Sequence, residues 1–485
     1  MKKLTKALLL AMLSFAAFSC EDDDNPVDPG SNTPTVTGQR DSQGRIILQG
    51  EIKTSGKLVA TEKYILQGFV YVMEGATLEI EPGTVIFGDK ASKGSLIIER
   101  GAKIIANGTA TRPIVFTSAQ PAGSRTYGDW GGLVLVGRAP ANQVANLEGG
   151  LRGSFGGSDV ADNSGSLKYV RIEFAGVPLT QAANSEINGL TMYGVGSGTT
   201  LDYIQVSYCG DDSFEWFGGA VNAKHLVAFR GFDDDFDADL GYRGKVQYAV
   251  SLRDPQYADQ SGSNGFEIDN FNPGVLTTGT PTEGNGLPIT APVFSNVSVF
   301  VTAGAPVTAP QSGSGSYQSA MHLRRNSAPS IYNSVLVGYP EGLRLDGIPT
   351  WNNAQATTGD VLTLKGVVLA NNNTQLRVAN NTTGTAPNVT TVFTLDQLTS
   401  WFSQAGKNNQ LVASTNLSTL GLNTASFNLT APVFTPQAGS SLLTGASFDG
   451  KAADGFFDKV AFKGAFGSEN WAQGWTNFNP QNATY

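Results

Sequence analysis

Residues 201–219, LDYIQVSYCGDDSFEWFGG, align without a gap on residues 223–241, AKHLVAFRGFDDDFDADLG. The offset of 22 places Asp211 on Asp233, Asp212 on Asp234, Phe214 on Phe236, Glu215 on Asp237 and Gly219 on Gly241. A self-match of that length suits one coil of a parallel β-helix, a solenoid of three short strands and three turns per coil, with neighbouring coils about 4.8 Å apart. The step continues as Phe266-Glu267, Leu323-Arg324, Leu343-Arg344 and Leu376-Arg377, with insertions of varying length between. Phe214, Phe236, Phe266, Leu323, Leu343 and Leu376 read as an inward stack. Period-two alternation then turns Glu215, Asp237, Glu267, Arg324, Arg344 and Arg377 outward, where they are candidate ligand-binding residues.

The rest of the chain agrees with an all-β solenoid. Short β-rich runs recur between Gly, Asn and Asp from about Gly44 onward, and Gly75, Gly83 and Gly101 each precede a strand where the backbone must bend sharply. With 58 Gly and 22 Pro among 485 residues, a helical bundle is excluded, and 40% hydrophobic residues are enough for a core. Pro273 to Pro292 and Thr302 to Ala320 read as long loops leaving the coil. Thr394 with Gln397 forms a capping box before Leu395 to Gln404, and this predicts one short C-terminal helix. The aromatic ending around Trp471 and Trp475 suits a cap over the last coil.

The N-terminus reads as an address. Lys2, Lys3 and Lys6 precede an apolar run from Ala7 to Phe18, so residues 1–19 are predicted to be a signal peptide. The small residue before the lone Cys20 resembles the lipobox of bacterial lipoproteins, although Ala17 stands where Leu is usual. That resemblance implies acylation of Cys20 and anchoring to the outer membrane through lipid. Residues 20–42, acidic and rich in Pro and Asp, read as an unstructured tether, and residues 43–485 as a single β-helix domain with its cap. The run Glu21-Asp22-Asp23-Asp24 resembles the surface-export signal of lipoproteins in the Bacteroidetes, which implies exposure at the cell surface. Loss of the three lysines takes the net charge from −9 to −12, so no nucleic-acid partner is expected. Cys209, the other cysteine, reads as a buried hydrophobe, and the protein is expected to be a monomer.

Several stretches together are similar to a family of Bacteroidetes lipoproteins and secreted proteins with the right-handed parallel β-helix of the pectin-lyase-like group. They are the strand starts at Gly75 and Gly83, residues 128–137 (GDWGGLVLVG), 210–219 (GDDSFEWFGG), 221–227 (VNAKHLV), 232–237 (FDDDFD) with Leu240-Gly241-Tyr242, and the ending from Gly464 through Trp471 to Trp475. The resemblance implies fold and surface location more firmly than activity, because a β-helix does not by itself specify chemistry.

The densest chemistry is acidic. Asp211, Asp212, Asp233, Asp234 and Asp235 are candidate metal ligands, because carboxylates stacked on adjacent coils repel unless a cation intervenes and oxygen-rich sites suit Ca²⁺. The alternative is that turn Asp residues hydrogen-bond backbone amides. An enzymatic reading, as a polysaccharide lyase or glycoside hydrolase, places Asp211, Asp212 and Asp234 in catalysis with Arg253 or Arg324 as the basic partner. Against it, Arg rarely gives up its proton. His225 and His322 read as packed or exposed rather than catalytic. Trp351, in an Asn-rich stretch, is a candidate for stacking on a sugar ring. The leading expectation is a binding, adhesion or scaffold protein directed at an extracellular polysaccharide or a surface protein.

Overall fold

Leu201 pairs with Ala223 and Phe214 with Phe236, both in parallel register, so the 22-residue self-match is one turn of a coil. A computed structural model describes residues 33–143, 147–179, 186–271, 286–307 and 315–485. Cys20, the signal peptide, the tether up to residue 32 and parts of the two long insertions lie outside the described residues. From residue 33 the chain forms one compact unit. Its edge begins earlier than the expected tether boundary, because the Val36 amide donates to the Lys57 carbonyl and Arg40 pairs with Glu62.

The unit is a right-handed parallel β-helix. One face stacks the strands Ser95–Ile98, Leu133–Val136, Leu190–Tyr193, Phe214–Phe217, Phe236–Asp239, Phe266–Ile268, Ser319–Leu323, Glu341–Asp346 and Thr374–Ala379, each paired in parallel with the next. The other two faces are formed by longer strands such as Thr200–Ser207, Asn222–Phe229 and Lys245–Leu252. Inside, identical residue types stack coil on coil. Phe236 lies between Phe214 and Phe266, with ring centroids 5.9 and 5.5 Å away.

Each long strand turns a corner at one residue of positive φ: Tyr169, Tyr203, His225 and Tyr248, between 50° and 61°. Bulky residues resist that conformation. Here their rings stack at 4.4, 4.1 and 5.0 Å, which compensates the strain along the whole edge. His225 is therefore a member of a packed ladder, as expected. Cys209 is fully buried.

Two expectations about the C-terminal region change. Among the described residues there are two α-helices, α1 (Ile348–Gln355) and α2 (Leu395–Phe402), and α2 carries the predicted capping box. The aromatic ending is not a cap on the last coil. It runs back along the side of the solenoid, with Trp475 edge-on to Tyr169 and Tyr203 and the Tyr485 hydroxyl 2.6 Å from the Glu173 carboxylate. The aromatic ladder gives this segment rings to pack on, with Trp471 and Trp475 edge-on to it. Helix α2 packs on the last long strand of the stacked face, Thr374–Ala379, instead.

Candidate functional site

The alternation of inward and outward residues puts Glu215, Asp237 and Glu267 in one outward row, in direct register. Thr191 precedes Glu215 in that row. Beyond Glu267 the expected order fails: Glu267 faces His322, and Phe266 faces Met321, before the row resumes at Arg344 and Arg377. The expected Leu323-Arg324 pair is displaced by two residues. A shift of two keeps Leu323 inward, so alternation alone could not expose the error. Arg324 nonetheless reaches the site, donating through Nε to Asp269 at 2.6 Å and pairing with Glu267, while Arg325 pairs with Asp269 at 2.7 Å.

The turns before these strands add a second set of acids. Asp211, Asp212 and Asp233 offer oxygens within 4.8 Å of one another; so do Asp212, Glu215 and Asp237, and again Asp234, Asp237 and Glu267. Asp212 and Asp237 each belong to two of these triads, so the three interlock along the coil axis. Part of the aspartate population does serve the backbone: Asp212 accepts from the Asp234 amide at 2.8 Å, and Asp234 accepts from the Asn264 amide. That does not saturate the set. Buried oxygens Oδ1 of Asp233, Asp237 and Asp239 have no hydrogen-bond partner among the described residues, and neither does Thr191 Oγ1, whose residue is 1% exposed.

Electrostatics follow from this crowding. Burial first, and then the neighbouring carboxylates, push Asp211, Asp212, Glu215, Asp234, Asp237 and Asp239 well above the usual carboxylate range. Asp233 is pushed up to about 7 by burial and by Asp259. Glu267 is the exception: burial raises it, but the His322 hydrogen bond and the Arg324 charge outweigh that and leave it lowered. His322, 3% exposed between Glu267 and Asp346 at 3.3 Å each, is raised despite its burial. The donor set is all hard oxygen, with Oδ1 of Asp233 and of Asp237 left unpaired, and fits Ca²⁺ better than a softer metal.

Five expected site residues are already engaged within the protein. Arg253 and Asp235 are both fully buried and form an ion pair at 3.1 Å beneath the turn. Ser251 and Tyr339 also bond Asp235, so this aspartate is no part of the triads and Arg253 cannot reach the outer face. Trp351 is in α1 rather than a loop, 8% exposed and stacked on Phe393 at 5.0 Å, leaving little ring for a sugar. Arg344 and Arg377 both close on Glu341 at 2.8 Å.

Residues not foreseen include Glu148, whose carboxyl lies under the Tyr193 hydroxyl at 3.1 Å and is pushed up to about 7 by burial. Asn188 donates to Glu215. His322 carried a signal, two residues before Arg324; Glu148 carried none, because it comes from a loop with no periodic relation to the coils.

The sequence model of a family described as a pectate-lyase like β-helix domain matches residues 50–420. The chain belongs to the pectate-lyase-like β-helix family. No curated protein matches it, and no solved structure does. The span matched to the pectate-lyase-like family holds every carboxylate triad and the Arg344 and Arg377 row. The segment that returns along the tyrosine ladder, from residue 421 onward, lies beyond it.

Proposed function

We propose that this protein is a cell-surface lipoprotein that binds an acidic extracellular polysaccharide through divalent cations held on the carboxylate face of its β-helix. The observation that carries the reading is the interlocked set of triads at Asp211, Asp212, Asp233, Asp234, Glu215, Asp237 and Glu267, with buried oxygens left unpaired. Such charge is costly unless neutralised, and Ca²⁺ takes six to eight oxygens with room for carboxylates from a second molecule. The polysaccharide class is supported by the family to which the chain belongs. Export, acylation of Cys20, the tether and the outer-membrane, Bacteroidetes-type surface location are supported by the N-terminal sequence. Among the described residues no helix is long and apolar enough to cross a membrane, so attachment through lipid is the proposed route.

Binding is preferred to elimination chemistry because the basic residues at hand are already committed. Arg324 is clamped by Glu267 and Asp269, which raise its pKa further, and His322 lies between Glu267 and Asp346, whose hydrogen bonds raise its pKa despite burial. Both are engaged by carboxylates of the protein itself, whereas a general base must be free to reach the substrate proton. Glycoside hydrolysis is the second reading, because Asp233, raised to about 7, has the protonation state of a general acid.

The mature protein is tested on a glycan array and in pull-downs with polyuronates, with Ca²⁺ or with EGTA. Retention of polyuronates that EGTA and Asp237→Asn weaken to the same extent is expected. Absence of retention on any glycan at micromolar protein sinks the binding reading, and release of new reducing ends replaces it with hydrolysis. Cys20→Ser is expected to remove the acyl mass and release the protein from the membrane.

A further inference from the structure

Near the C-terminal end, a cleft of about 550 Å³ opens between the loop after α2 and the segment that turns back along the coils. Its walls are polar: Gln404, Asn408, Asn409 and Gln410 on one side and Thr444 with Gly445 on the other, and Lys463 lines it as well. That volume lies in the range of small-molecule sites, roughly 300–1,000 Å³. The amides and hydroxyls supply donors and acceptors in the mixture that a polyhydroxylated ligand needs.

Lys463 sets the charge of the ligand. It is 5% exposed, and its ammonium donates to a single protein acceptor, the Asn408 carbonyl at 3.3 Å. No carboxylate neighbours it among the described residues, and burial alone lowers its pKa. One residue before Asn408, Lys407 is in the same situation, its ammonium 3.4 Å from the centroid of the Trp401 ring with no hydrogen-bond partner. A protein of net charge −9 thus keeps Lys463 in the wall of this cleft without a counter-ion among the described residues. Two of the three Lys463 donors remain for a ligand, and a buried ammonium gains most from an anion.

We propose that this cleft binds a carboxylated sugar, a uronic acid residue, with its carboxylate on Lys463 and its hydroxyls on the surrounding amides. The site needs no cation, so it does not rest on the carboxylate-face reading. Residues 441–463 also fall outside the span matched to the family, so the cleft is a feature of this chain's C-terminal return.

The test is calorimetric titration of the mature protein in EGTA with digalacturonate, with the neutral galactose disaccharide and with acetate. Digalacturonate is expected to bind, and Lys463→Met to weaken it by roughly 10- to 100-fold, the loss of one charge-assisted hydrogen bond. Thr444→Trp, at the exposed rim, is expected to block the cleft without touching Lys463, and this guards against a Lys463 variant that fails to fold. Asp237→Asn should leave this binding unchanged. Equal affinity for the neutral disaccharide, tighter binding of acetate alone, or wild-type affinity in the folded Thr444→Trp variant overturns the proposal, as does no heat with digalacturonate at millimolar concentration.

Discussion

Asp237→Asn is expected to stabilise the metal-free protein at neutral pH, the reverse of what most substitutions do. Asp237 is the middle member of the row, in register with Glu215 before it and Glu267 after it, and it shares both of its triads at oxygen separations within 4.8 Å. Two unit charges that far apart repel by about 3 kcal/mol at an effective dielectric of about 20. After burial, Glu267 is the largest charge raising Asp237, and its own pKa is lowered by the His322 hydrogen bond and the Arg324 charge. The side chain of Asn is nearly isosteric, and Asp237 Oδ1 has no hydrogen bond to lose. The net gain should therefore be about 2 kcal/mol in EGTA. The sign with pH follows from the same shifts. Carboxyls raised in the folded state hold protons that the unfolded chain has released, so stability falls as pH rises from about 4, through about 7 for Asp233 and Glu148. Calcium should cancel that fall in the wild type, by about 2.7 kcal/mol at a hundredfold excess over its dissociation constant, and do little for the variant. Differential scanning fluorimetry between pH 4 and 8, with EGTA or Ca²⁺, reads all four arms. A variant less stable in EGTA at pH 7, or with an unchanged calcium response, refutes the reasoning.

Phe236→Ala removes the middle ring of the Phe214, Phe236, Phe266 stack and should cost about 3–5 kcal/mol in urea denaturation, with a cavity between coils. Deleting residues 471–485 strips the tyrosine ladder of Trp471 and Trp475 and leaves Glu173 buried without its Tyr485 partner; limited proteolysis should then cut the corner strands, while Tyr485→Phe alone should cost about 1–3 kcal/mol. Arg253→Met should lower stability by about 3–5 kcal/mol, because Asp235 would be left buried and unpaired, with glycan retention per folded molecule unchanged; altered retention would return Arg253 to the binding face.

The fold was legible because one coil repeats without an insertion. From Leu201 to Gly241 the outward and inward identities follow from a single offset, and the strand pairing agrees residue by residue. Legibility ended at two kinds of place. Between Ile268 and Ser319 two long insertions on either side of the strand Val293–Phe300 hide the register, and a two-residue slip preserves alternation, so His322 was passed over for Arg324. At the turn 233–235 three consecutive aspartates look equivalent, yet the chain bends there and sends Asp235 inward to Arg253 while Asp233 and Asp234 remain with the triads. Burial was the other blind spot: Trp351 looked free in a polar stretch, but α1 and Phe393 cover it, because an amphipathic turn at the end of a solenoid has a coil to pack on.

The corrected register also changes what the outer row can do. It passes from Glu215, Asp237 and Glu267 through His322 to Arg344 and Arg377, so carboxylates and guanidiniums occupy successive coils of the same strip. Glu341 already accepts from both of the last two arginines, two bonds from Arg344 and one from Arg377, which leaves that end one charge in excess, with Arg377 half exposed. An acidic polymer laid along the strip is attracted at the arginine end and repelled at the triads. Only cations on the triads make both ends favourable for the same polymer, and a neutral glycan gains from neither. On this strip calcium dependence and preference for acidic glycans are thus a single property: a condition that removes one should remove the other, leaving there at most the weak, salt-sensitive attraction of Arg344 and Arg377.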